Sequence, residues 1–262
     1  MKLVLLGTGG FLPTDAAQTA CYFLPEVGLM LDAGHGLYRL AEHLQTRELD
    51  IYLSHAHADH TSGLDYVFAS YFKADLLKSG QALSASNVSG FVERANQALP
   101  NTRIHADQAT LSIVQPKYAD FNYTWQVLQP RQELKLGGSL SHFALENGST
   151  GYRLDWPAHA LAYITDTIAR PDSAYIEKIA GVDLLLHDCY TLDALSDLAE
   201  VIGHSHLSAV LQVAARAQVR RLVLIHHSPI ESLDYTRDLS AACQAFPELQ
   251  VVVGLDGMQL DF

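Results

Sequence analysis

Apolar positions along the chain fall into short runs that switch between strand spacing and helix spacing. Lys2–Leu6 reads as a buried strand that ends in Gly7-Thr8-Gly9-Gly10, a loop suited to close backbone approach. Ala20–Leu24 and Gly28–Leu31 read as a hairpin turning near Pro25-Glu26. After Asp32-Ala33-Gly34-His35-Gly36, residues Leu37, Leu40, Ala41 and Leu44 have helical spacing. Ile51–Leu53 predicts a strand that runs directly into Ser54-His55-Ala56-His57-Ala58-Asp59-His60, and Leu64, Val67, Phe68 and Tyr71 then predict a helix. The stretch from about 73 to 130 mixes a helix around Val92–Leu99 with strands around Thr110–Val114 and Thr124–Leu128. Strands follow at Ser139–Leu145, Thr150–Leu154 and Ala160–Ile164, then a helix around Asp172–Ile179 and a strand at Leu184–Leu186. An amphipathic helix at Ser208–Ala217 and strands at Leu222–Ile225 and Val251–Val253 complete the pattern. Early strands, a helix, more strands and then βαβ alternation predict a layered α/β fold. No Pro/Gly-rich linker and no repeat interrupts it, so a single domain over 1–262 is expected, with a variable insert at about 73–130.

Composition narrows the function classes. Hydrophobic residues are 48% and charged residues 18%, enough apolar material for a core and against disorder. The formal net charge of −12 repels a phosphate backbone, and Lys and Arg are scattered, so bulk nucleic-acid binding is disfavoured. Three widely spaced cysteines make neither a disulfide framework nor a Cys-type zinc site. The first apolar run breaks into glycines too early for a signal segment, and no stretch approaches membrane-spanning length; a cytoplasmic protein without membrane contact is expected. The count that changes the picture is histidine, 13 of them, several in tight groups.

In His55-Ala56-His57-Ala58-Asp59-His60, residues two apart at a strand end face the same way, so His55 and His57 can grip one ion. As the chain turns into the next helix, Asp59 and His60 can swing to a second. Imidazole nitrogen and carboxylate oxygen are the ligands a catalytic zinc prefers when a water position stays open. The alternative, a histidine-rich surface turn, fits poorly with this spacing directly after an apolar strand.

This segment resembles the HxHxDH motif of the metallo-β-lactamase superfamily. Leu6-Gly7-Thr8-Gly9-Gly10-Phe11-Leu12-Pro13-Thr14 is similar to the opening of its ribonuclease Z-like, phosphodiesterase branch. Leu31–Gly36 resembles the glycine-rich loop that follows, with His35 where glutamate is common. Tyr163-Ile164-Thr165-Asp166-Thr167 resembles the strand whose aspartate bridges the metals. Gly203-His204-Ser205-His206 and Leu224-Ile225-His226-His227-Ser228-Pro229 resemble the last two motifs, and all occur in family order. The resemblance implies a four-layer αββα fold, two mixed β-sheets packed face to face with helices outside. It implies two divalent ions, one on His55, His57 and His142, the other on Asp59, His60 and His226, with Asp166 bridging. His142 stands further from Gly151-Tyr152 than the family pattern has it, so a core or surface histidine remains open there. Asp166 could instead cap a helix. His226 and His227 are adjacent, so only one can face the site, and family position favours His226.

The implied chemistry is hydrolysis by a hydroxide held between two ions about 3.5–4 Å apart, which also neutralise charge on a phosphoryl or acyl oxygen. His204 matches the residue that protonates a leaving alkoxide in the ribonuclease Z-like branch, and it is the catalytic candidate together with Asp59; a plain loop histidine is the alternative. His206 and His187 are structural or supporting candidates. Two departures matter. The branch carries a glutamate three residues before the bridging aspartate, where it orients the acid histidine, and here that position is Tyr163. The long tRNA-gripping arm has no room between His142 and Asp166. A small phosphodiester, a cyclic nucleotide or related metabolite, is therefore the expected substrate. A thioesterase or lactonase is the alternative, and a tRNA 3′-processing endonuclease the least favoured. A flavodiiron protein would carry a carboxylate at position 57 and a flavin domain, and this chain has neither. Histidine-rich ligation favours zinc, with manganese or iron tolerated by the carboxylates; a homodimer is left open.

Overall fold

In the computed structural model, residues 1–230, 239–240 and 243–262 are described. In chain order the strands are β1 (Lys2–Gly7), β2 (Cys21–Leu24), β3 (Leu29–Leu31), β4 (Leu49–Tyr52), β5 (Thr102–Ala106), β6 (Thr124–Val127), β7 (Arg131–Leu134), β8 (Gly138–Ala144), β9 (Thr150–Trp156), β10 (His159–Ile164), β11 (Leu184–Asp188), β12 (Arg221–Ile225), β13 (Gln250–Val253) and β14 (Gln259–Asp261). The α-helices are α1 (Ala58–Thr61), α2 (Val67–Ser79), α3 (Val88–Ala98), α4 (Gln108–Val114), α5 (Ser196–Val201) and α6 (Leu207–Arg216). The chain forms two compact units. The first comprises Met1–Gly7, Ala20–Leu128 and Asp256–Asp261, the second Thr8–Thr19, Gln129–Leu255 and Phe262.

The first unit is built on a seven-stranded mixed sheet in the order β14-β1-β2-β3-β4-β5-β6. The hairpin β2–β3 turns at Pro25–Gly28, as the sequence predicts, and β3, β4, β5 and β6 run parallel. One face buries Val4, Leu6, Phe23, Met30, Ile51 and Ile104 against Leu37, Leu40, Leu64, Val67 and Tyr71. Fully burying such a side chain stabilises by roughly 1.5–3 kcal/mol, so this face is what holds the helices to the sheet. The spacing of Leu37, Leu40 and Ala41 is realised as a 3-10 helix, His35–Glu42.

The strand expected at Thr110–Val114 is instead helix α4. Asp107 accepts a 2.7 Å hydrogen bond from the Thr110 amide and so caps it. Thr110, Leu111 and Val114 are buried while Ile113 faces outward, which is helical rather than alternating spacing. The β-branched content points to a strand; the cap three residues upstream decides against it. Strands β5, β7 and β14 give no clear sequence signal because their runs are short and carry Arg, Gln, Glu or Asp.

On β4 and β5, Asp50 accepts hydrogen bonds from Arg103 Nε and Nη2, both at 2.6 Å, and pairs with His105 Nε2 at 2.8 Å, while Tyr52 stacks on His105. Burial pushes the Asp50 carboxyl up, but the bonds from Arg103 and His105 outweigh it and hold it down at about 2. A folded-state value below the ordinary ~3.9 adds stability above that pH, which is lost as pH falls towards 2. Asp50→Asn is expected to cost about 1–2 kcal/mol at neutral pH and almost nothing near about pH 2. Urea unfolding at the two pH values measures this; an unchanged gap would assign the effect to packing instead.

The second unit carries the other seven-stranded mixed sheet, in the order β13-β12-β11-β10-β9-β8-β7. β7 to β10 form an antiparallel meander and β10 to β13 run parallel. Helix α6 lays Leu207, Val210, Leu211 and Ala214 into a core with Ala162, Ile164, Leu185, Leu222 and Leu224. The helix expected around Asp172–Ile179 is only a 3-10 turn at Ala174–Ile176. Ser173 is extended there, and its hydroxyl accepts from the Arg170 amide, so helical backbone starts too late for a full α-helix even though Tyr175 and Ile179 are buried. Between His142 and Asp166 stand only the rest of β8, strands β9 and β10, and their turns. Among the described residues no helix is long and apolar enough to cross a membrane.

Candidate metal centre

The first unit presents its donors where β4 ends. His55 Nε2 and His57 Nδ1 lie 2.9 Å apart, and the His55 and His60 rings are 4.3 Å apart. Two nitrogens on one tetrahedral ion with ~2.0 Å bonds stand roughly 3.3 Å apart, so this pair already has close to the spacing of two ligands. His57 immediately precedes α1, whose first turn turns the chain so that Asp59 Oδ2 lies 3.3 Å from His60 Nε2. Asp59 and His60 are buried and His57 is exposed, a gradient that leaves one side open to solvent.

Behind these donors sits Asp32, to which the sequence pattern assigns no role. It is fully buried, with its backbone in the left-handed region at φ +54. Its Oδ2 is 2.7 Å from His60 Nδ1 and accepts from Ser54 Oγ at 2.7 Å, while its Oδ1 accepts from the Ser54 amide at 2.6 Å. Ser54 Oγ in turn lies 2.9 Å from His55 Nδ1. One carboxylate thus directs the outer nitrogens of His55 and His60 away from itself, which is how metal-binding imidazoles are oriented.

The second unit gathers its donors at the C-terminal ends of its parallel strands, the usual location of sites in α/β sheets. Asp166 follows β10, Asp188 ends β11 and His226 follows β12. A ligand atom from each of Asp166, His204 and His226 lies within 4.8 Å of the others. His226 Nε2 stands 3.3 Å from Asp166 Oδ1, to which Thr165 Oγ1 donates at 2.7 Å. Asp166 and His226 both have positive φ, +49 and +60, and with Asp32 they make half of the six such non-glycine positions described, a concentration of backbone strain typical of functional sites. The His226 ring packs so closely on Gly10 that a Cβ there would meet it at 2.5 Å.

His204 is the most connected member. Its Nδ1 lies 2.9 Å from Asp188 Oδ2, its ring stacks on Tyr190 at 4.5 Å, and its other neighbour is the His226 ring at 5.1 Å. Gly203, at φ +83, makes the turn before it, and Asn147 donates to the Gly203 carbonyl. The sequence pattern assigns Asp188 no role either. It sits in an apolar strand whose pattern reads as core, and only the pairing of β11 with β12 carries it to the strand ends where the other donors stand.

The remaining candidates separate cleanly. His227 points away from His226, lying 3.2 Å from the Gly254 carbonyl, and burial pushes its imidazole down to about 4. His187 is bound by the Tyr175 hydroxyl and the Asp188 carbonyl, and burial lowers it too. His206 precedes α6 and pairs with Asp193, which also takes the Ser208 amide and hydroxyl; the serine bonds the aspartate rather than the histidine, so these three make a helix start and not a nucleophilic triad. His142 lies half-buried on β8 opposite Tyr152, outside the Asp166–His204–His226 group. Tyr163 is fully buried on β10 beside Tyr152 and Leu186.

Imidazole and carboxylate donors at these separations, backed by buried carboxylates, fit a divalent cation. Comparison with known proteins agrees. The family model described as the beta-lactamase superfamily domain matches residues 29–227. A ribonuclease Z of Methanosarcina acetivorans is 25% identical over 310 aligned positions, covering 100% of this chain and 98% of the relative. Among solved structures, the metallo-beta-lactamase fold protein YhfI from Bacillus subtilis aligns with a TM-score of 0.71 at 20% identity, covering 99% of this chain and 98% of that one. A diphosphatase of the PhnP family aligns at 0.68 and 19%, covering 100% and 97%.

Proposed function

The chain belongs to the metallo-β-lactamase superfamily of metal-dependent hydrolases, and from that premise we propose that it hydrolyses a small phosphodiester, a cyclic nucleotide or similar metabolite. His55, His57 and His142 would hold one divalent ion, Asp59, His60 and His226 the other, with Asp166 shared between them, and the histidine-rich set favours zinc. Those ions supply polarisation of a phosphoryl oxygen and a water made nucleophilic at neutral pH. The chain's own residues do the rest. Asp32 and Ser54 hold the imidazoles of His55 and His60 in orientation. His204 gives its proton to the departing alkoxide oxygen.

The observation that carries this reading is the position of His204, within 4.8 Å of donor atoms of Asp166 and His226 while its Nδ1 is tied to Asp188. An alkoxide is a poor leaving group and needs a proton donor beside the reacting phosphorus; a thiolate does not. Two of the similar proteins carry names that denote cleavage at phosphorus, a ribonuclease and a diphosphatase, which favours phosphorus over acyl chemistry. The direct passage from β8 through β9 and β10, together with the net charge of −12, favours a small substrate over tRNA.

Metal-loaded protein assayed side by side on bis(p-nitrophenyl) phosphate, a cyclic nucleotide, a precursor tRNA, a thioester and a lactone is expected to turn over the first two and leave tRNA intact. Efficient tRNA 3′-end cleavage at physiological salt would overturn the small-substrate reading. Thioester or lactone turnover without phosphodiester turnover would make it an acyl hydrolase.

A further inference from the structure

We propose that Asp188 is the positioning residue for His204, taking over from β11 the orienting task that Tyr163 on β10 cannot perform. The inference rests on the phosphodiesterase reading for its kinetic consequence, and on geometry alone for the contact itself. Tyr163 offers a neutral hydroxyl within a fully buried strand segment. Asp188, one strand over, is fully buried and places Oδ2 2.9 Å from His204 Nδ1. Its Oδ1 is buried without a hydrogen bond among the described residues and lies 3.8 Å from His226 Nδ1. A single carboxylate therefore stands behind two imidazoles, and a carboxylate accepts but cannot donate. The hydrogen bond selects the His204 tautomer that carries its proton on Nδ1, so that Nε2 is the nitrogen turned to the substrate. Ring rotation is blocked on one side by Tyr190, stacked at 4.5 Å and 14°, and on the other by His226 at 5.1 Å and 27°. The backbone contributes as well: the Tyr190 amide donates to the Ser205 carbonyl and the His204 amide to the Ala199 carbonyl, which fixes the loop to β11 and α5.

The step itself balances simply. His204 carries protons on both ring nitrogens as the P–O bond breaks; the bonding pair stays on the departing oxygen, and the Nε2 proton moves to it, leaving His204 neutral with Nδ1–H still on Asp188. Replacing a carboxylate by its amide at such a pair keeps the shape and selects the wrong tautomer, because an amide can donate to Nδ1. Asp188→Asn is thus predicted to act through His204 and not through the fold.

The test uses metal-loaded protein. Long-range ¹H–¹⁵N spectra of the wild type, with His204 assigned by its loss in His204→Gln, are expected to show neutral His204 protonated on Nδ1. In Asp188→Asn the resonance pattern should shift towards the Nε2–H tautomer. At saturating metal, turnover of an alkyl phosphodiester should fall by about 10²-fold, while that of bis(p-nitrophenyl) phosphate changes by less than about 3-fold. Asp188→Glu should restore part of the alkyl-ester rate. A wild-type spectrum with His204 protonated on Nε2 overturns the assignment even if no variant folds. So do an unchanged tautomer in Asp188→Asn and equal losses for both leaving groups. If no phosphodiester is cleaved at all, the proposed function fails, and the spectrum still decides whether Asp188 orients His204.

Discussion

Stripping the divalent ions with a chelator is expected to lower phosphodiester turnover by about 10³-fold or more. Polarising the phosphoryl oxygen and generating the nucleophile are each worth several kcal/mol, and each ~1.36 kcal/mol is tenfold in rate. Elemental analysis of loaded protein should give close to two ions per chain. His60→Ala and His226→Ala should each lower that number, since each removes a proposed imidazole ligand. His60→Ala carries a second cost: it leaves the buried Asp32 carboxylate without the ring 2.7 Å away, an uncompensated charge that destabilises the fold by several kcal/mol. His226→Ala is the cleaner variant, and its metal content is the number to rely on. At most one ion in the wild type, with content unchanged in both variants, would falsify the two-ion arrangement.

His204→Ala is expected to lower turnover of a phosphodiester with an alkyl leaving group by about 10²–10⁴-fold, the usual contribution of a positioned acid. The same substitution should hardly affect p-nitrophenolate release, because that anion departs without a proton. Metal content should stay at the wild-type level, which separates the acid role from a ligand role; the proximity of His204 to Asp166 and His226 makes this control essential. Loss of metal on substitution would reassign His204 as a ligand. Equal losses with both leaving groups would remove the acid role and return the acyl-hydrolase reading to first place.

The donors themselves are legible in the amino-acid sequence because they are local. His55, His57, Asp59 and His60 lie within six residues at the end of an apolar strand, and the alternation of a strand followed by the first turn of a helix is enough to bring the donors together. Asp166 and His226 are legible for a related reason, each standing shortly after a run of buried residues at the end of β10 or β12. The division into βαβ segments in the second half follows from the change of apolar period, and α6 and β10 to β13 stand close to where that period puts them. Where two local signals conflict, pattern alone misleads: at Thr110–Val114 the β-branched run outweighs the cap of Asp107 in the sequence, and the hydrogen bond reverses that order in the fold.

What the sequence determined by itself, then, is the type of chemistry: imidazoles and carboxylates spaced for divalent ions, on an α/β chain, in the order of a hydrolase superfamily. What only the tertiary structure decided is which groups hold those donors still. Asp32 and His60 are 28 residues apart and are joined by the pairing of β3 with β4 and by the bond from the Ala33 amide to the His60 carbonyl. Asp188 and His204 are 16 apart, and their meeting depends on Tyr190 bonding back to Ser205 and on the register of β11 with β12. In the sequence, Asp188 sits at the end of Leu184-Leu185-Leu186-His187, and nothing in that run distinguishes it from a strand terminus. Local periodicity sets which face a side chain takes, but register between distant strands sets which side chain it faces. The orienting carboxylates of this site are a property of register.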